Sequence, residues 1–278
     1  MKTVIGLGKA GCGVAEEFSK YPQYDVYKIK VASRKSQSSN VFGMSKRKTP
    51  ESYEKNCPSL KTFFKKVDGD VLFIVDGSES VSASSLRILE QLKHCDTTVL
   101  YIRPELQFLS DSERLNERTV RGVLQEYARS AVLERIYLVD VSLVAATLAE
   151  VPIKFYHEKV HEAIAATLHM ITVFRHSEAV LGAQGNPLDV ARISTFGFVN
   201  ADSGKENLFF ALDFPREKSY YYGINEKKLQ TDGSLMKKVN EQVSADAHDN
   251  LRTSYAIYET RYENDYIYLT AHSSMVQL

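Results

Sequence analysis

Residues 5–13 read IGLGKAGCG, directly after Thr3 and Val4, and the fold turns on how this glycine loop is read. Gly6, Gly8 and Gly11 have the G-x-G-x-x-G spacing that lets a backbone turn tightly and come close to a phosphate. Thr3 to Leu7 reads as a buried strand, and Ala10, Val14 and Phe18 recur at helical spacing. The loop therefore lies where a strand turns into a helix, with unpaired amide N–H groups at the helix start that favour an anion. A strand–helix turn without any ligand also favours glycine for steric reasons, so the loop alone does not decide the matter.

Outward from the loop, apolar runs recur. YDVYKIKV (24–31) alternates as a strand does, and DVLFIV (70–75), TTVLYIR (97–103) and RIYLVDV (135–141) have the continuous apolar character of buried parallel strands. A helix opens at the capping-box pattern Ser110-x-x-Glu113, with Leu115, Thr119, Val123, Tyr127 and Ala131 predicted on its packing face. Strands alternating with helices imply an α/β domain with a doubly wound parallel sheet of nucleotide-binding type over residues 1–150. Asn40 to Cys57, polar with Gly and Pro, is predicted to be a loop across the carboxyl ends of the strands. A long central helix is expected over 153–178, with Val160, Ile164, Leu168 and Ile171 on one face, in a segment covering 151–190. Residues 191–278 read as a smaller α+β C-terminal domain. Strands are predicted at 196–200 and 208–214, a helix over 234–247 built on Leu235, Met236, Val239 and Val243, and a hairpin over Thr253 to His272 turning at Glu263-Asn264.

Composition sets bounds on function. The 278 residues are 44% hydrophobic and 25% charged, enough for a core without metal or disulfide support. Thirty-five basic side chains balance 35 acidic ones, so no global field draws the chain to nucleic acid or anionic lipid. Cys12, Cys57 and Cys95 form no C-x-x-C pair. MKTVIGLG is too short an apolar run for a secretory signal, and nothing approaches the ~18 apolar residues of a membrane span. A cytoplasmic protein is the expectation, with neither membrane nor nucleic acid as partner.

Several motifs compete for the chemistry. An NAD site wants an acidic residue at the end of the second strand, where the chain reads Val31-Ala32-Ser33-Arg34-Lys35. Arg34 suits the 2′-phosphate of NADP, so an NADP-dependent oxidoreductase is one alternative. A P-loop is excluded, because Gly8-Lys9 is followed by Ala10 and the spaced upstream glycine is missing. His157-Glu158-Lys159-Val160-His161 is a literal H-E-x-x-H on a predicted helix, with Glu178 or His169 as candidate third ligands. Its downstream extension is absent and a solvated helical turn explains it equally well, so no metal site is assigned. Lys46-Arg47-Lys48, with Arg34 and Lys35, reads as a solvated charge run, and Tyr220-Tyr221-Tyr222 as a strand edge or an interface patch.

In order, these parts resemble the tubulin/FtsZ family from end to end. GLGKAGCG resembles its first phosphate loop, and DVLFIVDGS, TTVLYIRPELQF, the helix over 110–130, RIYLVD, the Phe155-containing turn into a long helix, GNPLDVARI and YAIYETRYENDYIYLTA follow in the family's sequence of elements. The resemblance implies GTP, with Mg beside it, at the carboxyl ends of the sheet, and head-to-tail filaments of the chain with itself, or binding to another protein. It carries nucleotide contacts onto Gly6, Gly8, Lys9, Ala10, Gly11 and Cys12, onto Gly77, Ser78, Ser80, Ser82 and Ser84 of a second loop, and onto Arg114 and Phe155. The family's catalytic pair of acids, three residues apart, falls on Asn186 and Asp189, of which Asn186 has no basic form at neutral pH. The second loop, DGSESVSASS (76–85), has serines in place of glycines and threonines, and Asp76 and Glu79 set negative charge against an anion. The expectation is a self-assembling or partner-binding protein with a degenerate GTP site and weak or absent GTPase activity; an active GTP-hydrolysing filament protein is the other alternative.

Overall fold

The apolar runs around the glycine loop pair with one another. A computed structural model of the chain describes residues 3–33, 36–201, 203–245 and 249–278. Arg34 and Lys35, and the last two residues of the helix expected over 234–247, lie outside these. The chain divides into two units, Met1–Ala166 with Val276–Leu278, and Thr167–Met275.

In the first unit β1 (Thr3–Leu7), β2 (Asp25–Ala32), β3 (Ser36–Gln37), β4 (Val41–Ser45), β5 (Asp70–Asp76), β6 (Asp96–Arg103) and β7 (Arg135–Asp140) line up in the order β3-β4-β2-β1-β5-β6-β7. Every neighbouring pair is parallel except β3 on β4. The inner strands are continuous apolar runs because both of their faces are covered: Val4, Ile5, Leu72, Phe73, Leu100 and Leu138 are fully buried. The crossovers carry α1 (Gly8–Phe18), α2 (Pro50–Lys55), α3 (Ser85–Leu89), α4 (Asp111–Arg129) and α5 (Val141–Thr147). The loop expected over 40–57 is instead the strand β4 followed by α2. Phe42 and Met44 are buried, with the Phe42 ring 5.6 Å from that of Phe63, and Thr49 caps α2 by accepting from the Ser52 amide. Gly43 and the polar flanks hid this short strand.

The capping box at the start of α4 forms in both directions, Ser110 with Glu113. The face of α4 that packs differs from the expected one. Leu115 and Tyr127 are exposed, whereas Glu117, Val120, Arg121, Leu124, Gln125 and Ala128 are buried. Polar side chains win these inner positions because they satisfy one another. Arg121 Nε donates to Glu117 Oε1 at 2.9 Å, the Tyr101 hydroxyl donates to the Glu117 carbonyl at 2.9 Å, and Arg121 and Gln125 both donate to the Gln277 carbonyl.

The central helix α6 (Tyr156–Arg175) follows a 3-10 turn at Ile153–Phe155, and its predicted face holds: Val160, Ile164, Leu168 and Ile171 are buried. The second unit then builds β8 (Leu181–Ala183), β9 (Ile193–Val199), β10 (Glu206–Leu208), β11 (Glu217–Asn225), α7 (Glu226–Thr231), α8 (Leu235–Ser244), β12 (Arg252–Thr260) and β13 (Tyr266–Ser273). The strands run β9-β13-β11-β12-β8, with β10 pairing antiparallel to β9. Two expectations are corrected here. The predicted hairpin does not form, because β12 and β13 flank β11 instead of pairing with each other, β12 parallel to it and β13 antiparallel. The tyrosine run is no edge: Tyr220, Tyr221 and Tyr222 lie in the central strand β11 and are almost fully buried. Tyr220 and Tyr222 join Val199, Ile224, Val239, Ile257 and Leu269 in the core of this unit. The strand expected at 208–214 does not form: only Leu208 lies in a strand, as the last residue of β10. No helix among the described residues is long and apolar enough to cross a membrane.

Gly6 ties the first strand to the first helix. A Cβ at this position would overlap the Gly11 carbonyl oxygen and the Ala15 methyl. Gly6→Ala is expected to lose about 1–3 kcal/mol of stability by overpacking, read as a lower urea midpoint, and an unchanged midpoint would show that β1 and α1 separate without cost.

Candidate functional site

The amino end of α1 is built without a cap of its own. Leu7 occupies the N-cap position with no side-chain hydrogen bond, and no acidic residue lies in the first helical turn. The amides of Lys9 and Ala10 therefore face outward as free donors. Gly8 makes the turn at φ 79°, where a Cβ is strained.

A carboxylate from the second loop takes these donors. The Lys9 amide donates to Glu79 Oε1 at 2.9 Å and Oε2 at 2.8 Å, and the Ala10 amide donates to Oε1 at 2.9 Å. A Cβ on Gly8 would overlap this same carboxylate. The negative group sits where the helix dipole and two amides favour an anion.

The second loop is shaped to bring Glu79 there. Asp76, at the end of β5, accepts from the Ser78 amide at 2.8 Å and the Ser78 hydroxyl at 2.7 Å, which bends the chain. A 3-10 helix, Ser80–Ser84, follows. Asn116 of α4 pins the loop at three points, its amide donating to the carbonyls of Gly77 (2.7 Å) and Glu79 (3.1 Å) and meeting Ser82 Oγ at 3.1 Å. Gly77 has no room for a side chain, since a Cβ would overlap the Tyr101 hydroxyl.

Beside the loop a shallow cavity of about 440 Å³ is lined by Gly8, Lys9, Cys12, Gly13, Lys30 and Glu79 among others. Cys12 is buried and its thiol donates to the carbonyls of Gly6 and Ile29. Burial pushes this thiol up to about 12, so it is a neutral packing group at pH 7.

No family sequence model matches the chain, and no curated protein sequence does. Solved structures do match over nearly its whole length. CetZ from Methanosaeta thermophila superposes with a TM-score of 0.70 at 12% identity, covering 99% of this chain and 87% of that one. A GTPγS-form protofilament of TubZ from Bacillus thuringiensis serovar israelensis gives 0.72 at 12% identity, with 100% and 87% covered. An empty FtsZ dimer from M. jannaschii gives 0.69 at 13% identity, with 98% and 87% covered. The chain has the tubulin/FtsZ fold.

Within this tubulin/FtsZ fold the residues expected at a nucleotide are distributed unevenly. Gly6, Gly8, Lys9, Ala10, Gly11 and Cys12 form the loop just described. The serine hydroxyls expected to face a ligand turn inward: Ser78 donates to Asp76, Ser82 to the Gly77 carbonyl and Ser84 to the Val81 carbonyl, while Ser80 is exposed. On α4 the side chain that reaches the second loop is Asn116, and Arg114 donates its Nε to the Leu109 carbonyl. Phe155 is half exposed, with the Lys154 ammonium 5.9 Å from its ring centre. Asn186 and Asp189 are exposed in the second unit, between β8 and β9, where the Glu217 carboxylate holds the segment by accepting from the Leu188 amide at 2.9 Å. Arg34, the residue on which NADP selectivity would rest, lies outside the described residues. His157 and His161 stack at 6.4 Å, and among the described residues no group of three or more potential metal ligands comes together.

Asn116 gave no signal in the sequence. The Glu79 contact did leave one: a helix that begins on glycine after an apolar N-cap, with no acid in its first turn, must find its anion elsewhere.

Two titrating groups in this tubulin/FtsZ-fold unit oppose each other. Burial pushes the Asp76 carboxyl up to about 6, helped by Glu79 and Glu117 and opposed by the Ser78 bonds. A carboxyl raised above its unfolded value of 3.8 stabilises the fold in acid and loses that contribution as the pH rises through about 6. His161, whose ring lies against Gly13, is held down to about 4 by burial and then by His157 and Lys9. Its contribution is present above 6.5 and is lost as the pH falls through about 4. Asp76→Asn keeps an acceptor for Ser78 and is expected to gain on the order of 2 kcal/mol near neutral pH and nothing in acid. Thermal melts at both ends check this, and equal shifts at the two would exclude titration as the cause.

Proposed function

We propose that this protein works by self-assembly into head-to-tail filaments, and that Glu79 stands in for the nucleotide phosphates at its glycine loop, leaving GTP binding weak and GTPase activity slow or absent. The observation that carries this reading is the Glu79 carboxylate on the Lys9 and Ala10 amides. A triphosphate would have to displace that group and then share the site with it and with Asp76, at a Coulombic cost in both steps. The inward serine hydroxyls and Asn186 in place of an acid act in the same direction, so the residues present do not fit GTP and its Mg as the fold family implies.

The self-assembly half is supported by the fold. TubZ is seen as a protofilament and as a four-stranded filament, the latter with a TM-score of 0.76 to this chain, and CetZ2 from Haloferax volcanii as a GTPγS-bound protofilament. An open polymer needs a heterologous contact, one face of a copy on a different face of the next.

Electron microscopy and pelleting of concentrated protein, with and without GTP, test the reading alongside phosphate release. Filaments of equal yield in both conditions with little phosphate released are expected. Monodisperse particles throughout would overturn the assembly half, and filaments that require GTP and release phosphate would overturn the role of Glu79.

A further inference from the structure

A second concave feature of the first unit lies at the amino ends of β5 and β6, the opposite end of the parallel sheet from the glycine loop. Between α2 and β5 the chain reads NCPSLKTFFKKVDG (56–69), with Leu60, Phe63, Phe64 and Val67 turned into the core. This segment and the 3-10 turn Glu90–Leu92, with Lys93 and His94 after it, enclose a cleft of about 870 Å³. Its wall is fixed. The Gln91 side chain accepts from the Leu60 amide at 2.6 Å and donates to the carbonyls of Pro58 (3.3 Å) and Arg87 (3.0 Å), and His94 Nε2 lies 3.2 Å from the Val67 carbonyl.

The charge in this cleft is unbalanced. Lys55, Lys61, Lys65 and Lys93 line it, as do Arg87, Glu54 and Glu90. Arg87 meets both glutamates, at 4.0 Å and 3.7 Å, one positive charge against two negative ones, and none of the four lysines makes an ion pair among the described residues. In a chain with no net charge, five basic side chains against two carboxylates around one hollow leave a local excess of three positive charges that concentrates anions. The cleft is open to solvent, with a volume in the range of small-molecule sites. Of the rings in its lining, Phe64 is buried and the exposed His94 imidazole is tied through Nε2 to the Val67 carbonyl.

We infer that this cleft binds a compact anion carrying several phosphate groups, recognised through its phosphate chain. Lysines serve as mobile point charges for such a chain and do not impose the fixed fork of arginine. The site is separate from the glycine loop and does not depend on the role of Glu79 there.

Calorimetric titration of the whole chain with inorganic triphosphate tests the inference, with GTP as a parallel arm. Binding is expected, weaker at higher salt as screening predicts, and the Lys61→Gln/Lys65→Gln pair is expected to lower the affinity about tenfold with an unchanged circular dichroism spectrum. Equal affinity for triphosphate and GTP assigns recognition to the phosphate chain alone, as inferred. Gly8→Ala, which disturbs only the other end of the sheet, is expected to leave triphosphate binding intact. No binding, an equal response to sulfate at matched ionic strength, or full affinity in the double variant would overturn the site. Loss of binding in Gly8→Ala would move it to the glycine loop, and tighter binding of GTP than of triphosphate would show that the base is read.

Discussion

Glu79→Ala should bind triphosphate nucleotide at the glycine loop about 10- to 100-fold more tightly than the wild type. The substitution frees the Lys9 and Ala10 amides, which now donate to the carboxylate, and removes one negative charge from the place a terminal phosphate would take. A charge-assisted hydrogen bond contributes roughly 1.5–3 kcal/mol, and the contact is partly open to solvent, so the lower half of that range sets the expected gain. Glu79→Gln keeps the reach and an oxygen acceptor without the charge, and its affinity should fall between the two. The same change costs helix α1 its only anionic cap, on the order of 1 kcal/mol of stability. Titration with a fluorescent GTP analogue, with the Lys61→Gln/Lys65→Gln pair in the background of both proteins to weaken the lysine cleft equally, provides the measurement. Identical affinity in Glu79→Ala and its parent would falsify the view that the carboxylate competes with phosphate.

The largest stability effect is expected at Arg121. Its guanidinium and the Glu117 carboxylate are 7% and 3% exposed, and the guanidinium also donates to the Gln277 carbonyl. Arg121→Ala strands a buried carboxylate beside the Tyr101 hydroxyl, a change that typically costs about 3–5 kcal/mol. Replacing both partners, Glu117→Leu with Arg121→Met, leaves no orphaned charge and should recover most of the loss. Denaturant melts of the single and double variants decide the point: a double variant as unstable as the single one would place the cost in lost packing, not in the unpaired charge.

The parallel strands were legible because burial on both faces writes an apolar run into the sequence, as in Val71 to Val75 and Ile136 to Val139. The capping box of α4 was legible because it is local. Its packing face was not, since apolar periodicity has no way to weigh a Glu117–Arg121 pair that makes polar residues suitable for the interior. The hairpin failed for a related reason. Alternation marks β12 and β13 as strands without saying which strand each will pair with, and the buried tyrosines of β11 carry polar hydroxyls that disguise a central strand as an edge. At the glycine loop the sequence placed the negative charges of DGSESVSASS beside the expected anion site. That one of those charges would itself become the anion depends on a contact across 70 residues and on Asn116 holding the loop, neither of which leaves a periodic trace.

The placement of β11 between β12 and β13 also bears on how the second unit comes together in time. The late strands β12 and β13 do not form a ladder with each other, so the short turn between them is not available as a nucleus. Residues 217–225 must meet 252–260 to close one ladder and 266–273 to close the other. Such non-local closure costs chain entropy before any contact repays it, which makes this half of the molecule the slow one to fold. A protein leaving the ribosome would therefore hold the paired strands of the first unit while those of the second are still unpaired and open to those of another copy.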